Sequence, residues 1–330
     1  MCQQTRITTV LPYYAAFLER WPTLDDLAAA DLDDVLKAWA GLGYYRRARA
    51  LHACAQAARA VGGLPGDAGA LRELPGIGPY TAGAIASIAF GLREPAVDGN
   101  VERVLSRLDA APEEPWSAAG KRALRQRTQQ LHDALPDDAH PGDLTQALME
   151  LGATTCSVTS PSCGECPLAP ACRAQADEEQ SAWPRKRARK PPVPIAAAAG
   201  LAWLGGVPVL ARRRGRGLLG GLWEPIRAPL DGTIGATDAL HGAFVEVGLR
   251  AAVGPRLGQV QHVFSHRRLT LDVYEVAVEG VPRSGGPYDR VEACAPDTVG
   301  LSRLARKALA LGDRPPLLLA AELSRGTVSR

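Results

Sequence analysis

The spacing of hydrophobic residues divides the chain into two parts. Up to residue 175, apolar residues recur at helical spacing, which predicts helices joined by short loops. The predicted helices span residues 6–20, 24–39, 44–61, 79–90, 99–109, 116–134 and 143–154. No strand-like alternation interrupts them, so this part is predicted to be all-α.

From residue 195 onward, the pattern predicts strands mixed with helices. The stretch AAAAGLAWLGGVPVLARRR predicts two strands about a tight turn at Gly205 and Gly206. Residues 269–278 alternate like a half-buried strand, whereas residues 235–249 and 302–311 have helical spacing. Together these elements predict an α+β domain.

The two parts are joined by a stretch of different composition, QADEEQSAWPRKRARKPPVP. Its acidic patch, basic run and prolines are typical of an exposed connector, and most of its charges are expected to be solvated. We therefore predict a helical domain over residues 1–174, a connector over 175–194 and an α+β domain over 195–330.

The composition indicates a soluble globular protein. Of the 330 residues, 46% are hydrophobic and 22% are charged, and no apolar run approaches the ~20 residues of a membrane span. Because no basic-then-apolar leader is visible, we expect a cytoplasmic bacterial protein without a membrane partner. The net charge of +3 is too small to indicate a nucleic-acid partner by itself.

Four of the seven cysteines lie in the stretch CSVTSPSCGECPLAPAC, which spans residues 156–172. They are Cys156, Cys163, Cys166 and Cys172, with the spacing C-x6-C-x2-C-x5-C. Such a cluster in a cytosolic protein favours a metal site over disulfides, and thiolates suit both iron–sulfur clusters and zinc. One compact loop fits an iron–sulfur cluster better, because structural zinc usually draws on two separated pairs; zinc remains the alternative.

A glycine turn and a carboxylate form the second candidate constellation. In LPGIGPYTAGAIASIAFG, Gly76 and Gly78 permit a tight turn, and Pro79 suits the first turn of the next helix. The bare N–H groups of such a turn can bind a phosphate, although an ordinary structural turn has the same pattern. In EPAVDGNVERVLSRL, Asp98 precedes a helix, and an N-cap role alone would explain it.

In combination, these motifs resemble the helix-hairpin-helix DNA glycosylases that carry a 4Fe-4S cluster. The segments VLPYYAAFLERWPTLDDLAAA, WAGLGYYRRARALH and ALMELGATTCSVTSPSC are similar to the adenine DNA glycosylase (MutY) family, and QHVFSHRRL extends the resemblance into the C-terminal domain. The resemblance implies an all-α glycosylase domain with a 4Fe-4S loop, followed by an α+β Nudix-like domain. It also implies a monomeric, monofunctional base-excision-repair enzyme that acts on double-stranded DNA and removes adenine mispaired with 8-oxoguanine or guanine.

The resemblance assigns catalytic roles to three residues. Asp98 would stabilise the oxocarbenium-like sugar, around which Tyr80 and Asn100 would orient groups. Tyr80 stands where the endonuclease III branch has a lysine that forms a Schiff base with the sugar. Because a phenol cannot form an imine, a lyase step through this residue is excluded.

Further residues are implied to contact DNA. Those of the helical domain are Gln4, Thr5, Leu42, Tyr44, Gly76 and Gly78. Gln4 and Tyr44 would wedge into the base stack when adenine is extruded, and Thr5 and Leu42 would lie near the opposing lesion. Without the resemblance, Leu42 and Tyr44 would be interpreted as core packing in a glycine-rich turn.

The C-terminal domain is implied to read the lesion. Nudix hydrolases hold a divalent cation with several glutamates on one helix, but HGAFVEVGLRAAVG contains only Glu246, which argues against pyrophosphate hydrolysis. Phe264, Ser265 and His266 match the family's Phe-Ser-His loop. The Ser265 hydroxyl can both donate and accept, which would distinguish 8-oxoguanine from guanine. The same three residues would also fit an ordinary strand end with a Ser-His pair on the surface.

The chain's opening resembles the family from the Met-Leu of its Met-Leu-Gln-Gln-Thr stretch onward. The family's general-acid glutamate would therefore lie just upstream of Met1, and we expect residues 1–330 alone to excise adenine poorly. The alternative is a protein that binds 8-oxoguanine:adenine pairs without cutting them. Two rivals are a non-catalytic DNA-binding protein with iron–sulfur or zinc, and a thymine or uracil mismatch glycosylase, which would lack the Phe-Ser-His loop.

Overall fold

The computed structural model describes residues 1–3, 5–185, 191–215, 217–264 and 266–312. Gln4, Ser265 and residues 186–190 of the predicted connector lie outside this part. The described chain divides into two compact units: Met1–His52 groups with the residues from 191 on, and residues 53–185 form the other. This division differs from the motif-based domain boundaries, which stay a prediction. No helix in the described ranges is long and apolar enough to cross a membrane.

The chain begins with four helices: α1 (Ile7–Arg20), α2 (Leu24–Ala29), α3 (Leu32–Ala38) and α4 (Arg46–Ala60). The prediction of one helix over residues 24–39 is wrong, because two N-caps follow each other closely. The Thr23 hydroxyl accepts from the Asp26 N–H at the start of α2, and the Asp31 carboxylate accepts from the Asp33 N–H at the start of α3. Each cap starts a helix of its own.

The other unit is helical. Its helices are α5 (Ala68–Glu73), α6 (Pro79–Phe90), α7 (Gly99–Leu108), α8 (Ala118–Asp133), α9 (Pro141–Thr154) and α10 (Arg173–Ala176). The core forms around α7, where Val101, Val104 and Leu105 pack with residues of α8 and α9. Gly152 brings α9 close to the start of α7, since a Cβ there would lie 2.6 Å from Asn100 Cβ.

The C-terminal residues form a mixed sheet with two helices, as predicted. The strands are β1 (Val193–Leu201), β2 (Trp203–Leu204), β3 (Val207–Arg213), β4 (Trp223–Leu230), β5 (Leu249–Val263), β6 (Arg267–Gly280) and β7 (Tyr288–Ala293); the helices are α11 (Ala236–Glu246) and α12 (Arg303–Leu309). The order is β2-β3-β4-β1-β6-β5, with β7 on β3 and a parallel pairing of β1 and β6. Gly205 and Gly206 have φ values of 60° and 79°, which suit the predicted tight turn.

Strand β1 separates two cores. Ala198 faces the core that contains Phe244 of α11, whereas Ala197 and Ala199 face the core that contains Leu304 of α12. Alternate residues of a strand point to opposite faces, so small side chains in the middle of the sheet let both helices approach closely. At Gly200 a Cβ would lie 2.5 Å from the Phe244 ring.

The N-terminal helices pack on this sheet domain. The Tyr45 hydroxyl donates to the Leu301 carbonyl at 3.0 Å. Arg212 of β3 forms ion pairs with Asp33 of α3 at 2.6 Å and with Asp289 of β7 at 2.8 Å. These bonds make residues 1–52 and the sheet one compact unit.

Candidate functional site

The turn between α5 and α6 has the hairpin geometry that its sequence predicts. Gly76 has a φ of 79°, a left-handed value that glycine adopts without steric strain. Gly78 is the extended N-cap of α6, and Pro79 occupies its first turn. The turn thus leads into the positive end of a helix, where an anion is favoured. A phosphate contact of these glycines stays a prediction.

Asp98 is fixed at the N-terminus of α7 by three N–H donors. Its Oδ1 accepts from the backbone N–H groups of Asn100 at 2.9 Å and Val101 at 2.8 Å. Its Oδ2 accepts from the Asn100 side-chain amide at 3.2 Å. The carboxylate therefore acts as the N-cap that local sequence suggests, and the same bonds hold it in one orientation.

Asn100 is held in turn by Arg103. The Arg103 Nη2 donates to Asn100 Oδ1 at 2.9 Å and also to the Gly152 carbonyl. The Arg103 Nε donates to the Cys156 carbonyl at 2.7 Å. A continuous series of hydrogen bonds therefore joins Asp98 to the first residue of the cysteine loop.

Two further polar side chains lie on helices of the same unit. The Tyr80 hydroxyl of α6 lies 3.9 Å from the Met149 sulfur of α9, the helix that also contacts Asn100. Glu102 lies in the first turn of α7, four residues after Asp98. Burial, and then the charge of Asp98, raise the pKa of the Glu102 carboxyl. The helical unit thus has a second carboxyl in the same helix turn as Asp98, and its pKa is raised.

The four loop cysteines line one cavity, together with Arg107 of α7. Burial raises the pKa of the Cys163 thiol, and the charges of Cys156, Cys172 and Cys166 add to the effect. The Arg107 Nη1 lies 3.3 Å from the Cys156 sulfur. In the ranges that the structure describes, no three Cys, His, Asp or Glu side chains surround a single metal-ion position. The four thiols nevertheless line one cavity with a cation beside them, and their binding of a metal or cluster stays a prediction.

The N-terminal candidates lie around the turn that precedes α4. Tyr44 is 52% exposed and has a φ of 49°, which is uncommon for a bulky residue. Thr5 accepts a hydrogen bond from Arg47 at 3.0 Å. The Leu42 side chain is 5% exposed, in keeping with core packing. Contacts of all three with DNA stay predictions, and Gln4 lies outside the described residues.

The Phe-Ser-His loop joins β5 to β6. Phe264 packs against the core beneath α12, and its ring meets the His262 ring edge-on with centroids 4.6 Å apart. The His266 carbonyl accepts from the Val193 N–H at 3.0 Å, while the residue itself is exposed. Ser265 lies outside the described residues. The loop is therefore anchored at both ends in the sheet.

Comparison with known proteins matches both parts of the chain. Residues 1–130 match the HhH-GPD superfamily of base excision DNA repair proteins, and residues 198–311 match the NUDIX domain. Adenine DNA glycosylase of Homo sapiens is 38% identical over 338 residues, covering 85% of this chain and 60% of the human protein. The Arabidopsis thaliana enzyme is 36% identical over 345 residues, covering 91% of this chain and 54% of the plant protein. That of Mycolicibacterium smegmatis is 44% identical over 170 residues, covering 51% of this chain and 56% of that protein.

The chain is similar to adenine DNA glycosylases over most of its length and contains both a HhH-GPD domain and a NUDIX domain. The predicted architecture, a helix-hairpin-helix glycosylase domain followed by a Nudix-like α+β domain, is thereby confirmed. The chain spans 60% of the human protein's length and 54% of the plant protein's.

Sequence reasoning missed three arginines of this adenine DNA glycosylase homologue. Arg103 and Arg107 are 9% and 2% exposed, and Arg47 contacts the turn that contains Tyr44. Local periodicity gave no signal of this burial, because GNVERVLSRL places both α7 arginines on the helix face opposite Val101, Val104 and Leu105, where exposure is expected. A charged residue at a core position indicates a buried polar network.

Proposed function

We propose that this chain is a monofunctional DNA glycosylase that removes adenine mispaired with 8-oxoguanine or guanine. The observation that carries the proposal is the Asp98 carboxylate, which three N–H donors fix at the start of α7. The similarity to adenine DNA glycosylases and the match of residues 1–130 to base excision repair proteins support it.

The chemistry follows from a fixed anion. When the N-glycosidic bond stretches, positive charge develops on the sugar, and a carboxylate that is already oriented stabilises it without rearranging. A carboxylate has about four lone-pair sites, so the three donors leave Asp98 acceptor capacity toward a cation. Asn100, itself held by Arg103, keeps Oδ2 in place. Tyr80 offers a hydroxyl and no amine, so the reaction ends in hydrolysis without a Schiff base.

Lesion recognition is proposed for the sheet domain and the Tyr44 turn. The exposed Tyr44 ring, together with Gln4, could fill the gap that an extruded adenine leaves, with Thr5 and Leu42 near the opposing lesion and Gly76 and Gly78 on the backbone. Ser265, between Phe264 and His266, could bond the N7–H and O8 that distinguish 8-oxoguanine from guanine.

We further propose that Cys156, Cys163, Cys166 and Cys172 bind a 4Fe-4S cluster. They fit the group because their thiols line one cavity and Arg107 can offset the negative charge of thiolates. Iron–thiolate bonds would cross-link the loop. Visible absorption and about four irons per chain would support the cluster, whereas zinc without iron would support the alternative.

The decisive experiment is single-turnover release of adenine from an 8-oxoguanine:adenine duplex. Asp98→Asn should slow release by about 10²–10³-fold, with duplex binding retained. Asp109→Asn, at the opposite end of α7, is the matched control and should keep the parent rate. If Asp98→Asn releases adenine at the parent rate, the assignment of Asp98 is wrong.

A second chain, lengthened upstream with the natural residues, should be assayed in parallel, because the proton donor is expected there. Faster release by the longer chain supports that expectation, and equal rates contradict it. If both chains bind the duplex tightly and neither releases adenine, the lesion-binding alternative is correct.

The preference for 8-oxoguanine over guanine opposite adenine is best tested with point variants of the full chain. Since the Tyr45–Leu301 bond ties residues 1–52 to the sheet domain, deleting residues 195–330 would also remove their support. Phe264→Ala and Ser265→Ala should lower the preference for 8-oxoguanine:adenine over guanine:adenine pairs. Ser284→Ala, at an exposed position, should leave it unchanged.

A further inference from the structure

Arg47, in the first turn of α4, connects two separate segments of the N-terminal region. Its Nη1 donates to the carbonyls of Met1 at 2.6 Å and Gln3 at 2.5 Å. Its Nη2 donates to the Thr5 hydroxyl at 3.0 Å and reaches the Gly43 carbonyl at 3.4 Å. One guanidinium thus holds the first residues of the chain against the turn that precedes α4.

The same guanidinium lies between two aromatic rings. Its central carbon is 5.4 Å from the ring centroids of Trp39 and of Tyr44. The Trp39 indole N–H donates to the Gly43 carbonyl at 3.0 Å, so the turn is fixed from both sides. Cation–π contacts of this kind hold a ring in position without covering its far side.

Tyr44 needs such support. It is half exposed, and its left-handed φ is a conformation that bulky residues rarely adopt. A strained backbone conformation of this kind is kept only where the surrounding structure restrains it. Residues with such conformations cluster at ligand-binding sites. The bonds of Arg47 and Trp39 provide that constraint.

We propose that Arg47 is a positioning residue for base extrusion: its guanidinium holds Thr5 and the Leu42–Tyr44 turn in the arrangement in which the exposed Tyr44 ring enters the duplex. This inference rests on the proposed function. A lysine cannot replace the arginine, because one ammonium lacks the planar fork that reaches several acceptors and stacks on rings. The positioning role of Arg47 therefore depends on the shape of its guanidinium more than on its positive charge.

The test measures extrusion directly, in the full chain. A duplex with 2-aminopurine opposite 8-oxoguanine becomes more fluorescent when the analogue leaves the base stack. Arg47→Lys should lower the extruded fraction by about 10-fold, while affinity for an undamaged duplex, which depends on charge, stays within about twofold. Arg46→Lys is the matched control: the neighbouring arginine is exposed, and this variant should extrude like the parent chain.

Thr5→Ala separates positioning from folding. It removes one acceptor of Arg47 at a partly exposed site outside any helix, so it should lower the extruded fraction without changing the urea midpoint of unfolding. Equal extrusion by Arg47→Lys and the parent chain overturns the inference and leaves the proposed function intact. If the parent chain binds the lesion without any fluorescence rise, extrusion itself fails and the role of Arg47 falls with it.

Discussion

The sheet domain has partly buried arginines and the helical unit has buried ones, and the hydrogen-bond partners of the two pairs differ. In the sheet, Arg213 and Arg227 lie 2.9 and 3.4 Å from one carboxylate, that of Glu224, which is 4% exposed. In the helical unit, Arg103 and Arg107 donate to backbone carbonyls, an amide and a thiol. Among the described residues, no carboxylate accepts a hydrogen bond from either of them.

The difference shows what each domain needs for stability. In the sheet domain, the Glu224 carboxylate supplies the counter-charge for the two arginines, so this group of charges needs no further partner. The acceptors of the α7 arginines lie largely in the segment from Gly152 to Trp183, which contains the four loop cysteines. Buried cations with neutral partners favour an anionic neighbour, and metal-bound thiolates would be one. The helical unit is therefore expected to depend on its cysteine loop.

The largest expected effect is that of Glu224→Gln. It leaves Arg213 and Arg227 without a counter-charge, which should lower the free energy of unfolding of the sheet domain by about 3–5 kcal/mol. Urea denaturation with hydrogen exchange of β3 and β4 amides measures the loss. Glu292→Gln removes an exposed partner of Arg290 and should change stability by less than about 1 kcal/mol. If both variants changed the free energy of unfolding by a similar, small amount, water would be replacing the lost carboxylate at both sites.

The second prediction concerns the carbonyl-bound arginines. Arg107→Met leaves several carbonyls without a donor, among them that of Ser157, and should lower stability by about 2–3 kcal/mol. Loop amides over residues 156–172 should exchange faster, and purified protein should retain less iron. Arg127→Met removes a half-exposed ion pair with Asp109 and is the control. Unchanged loop exchange in Arg107→Met would contradict the predicted dependence.

A smaller loss of stability is expected as the pH is lowered. His132 of α8 is fully buried, and burial lowers the pKa of its imidazole below 6.5. The fold favours neutral His132, so the stability it contributes is present above pH 6.5 and declines as the pH falls toward its lower folded pKa. Urea midpoints between pH 8 and pH 5 measure the decline. It should shrink in His132→Gln but persist in His241→Gln, which alters an exposed histidine of the sheet domain.

The smallest expected effect is an increase in stability, and it concerns Glu102. Burial and Asp98 raise the pKa of Glu102, so the fold favours its protonated form, and that stability is lost as the pH rises through the folded pKa. Glu102→Gln should therefore increase stability at pH 7, by less than about 1 kcal/mol because the side chain is partly exposed to solvent. The exposed Glu150→Gln is the control. A loss in Glu102→Gln would show that Glu102 has a stabilising partner.

Local patterns predicted much of this fold and the outline of the site. Most of the helix bounds, the Gly205–Gly206 turn and the position of the four cysteines along one cavity follow from spacing and turn residues. The break at Ala30 and Asp31 was missed because a cap there competes with continuous helical periodicity.

Features that depend on distant contacts could not be predicted. Strand β4 contains Pro225 and Pro229, and β5 lacks a regular alternation of buried and exposed residues, so neither has a clear local signal. The parallel pairing of β1 with β6 is a choice between partners far apart in sequence. The partners of Arg47 and Arg103 likewise depend on where other segments come to lie.

The bond between Tyr45 and Leu301 also has a kinetic consequence, because 256 residues separate its partners. On the ribosome, α1 to α3 emerge well before the surface they pack against, which is complete only after Leu301 has been made. Contacts of such sequence separation form late. We expect the nascent N-terminal helices to expose apolar surface throughout synthesis, which makes them natural clients of a chaperone.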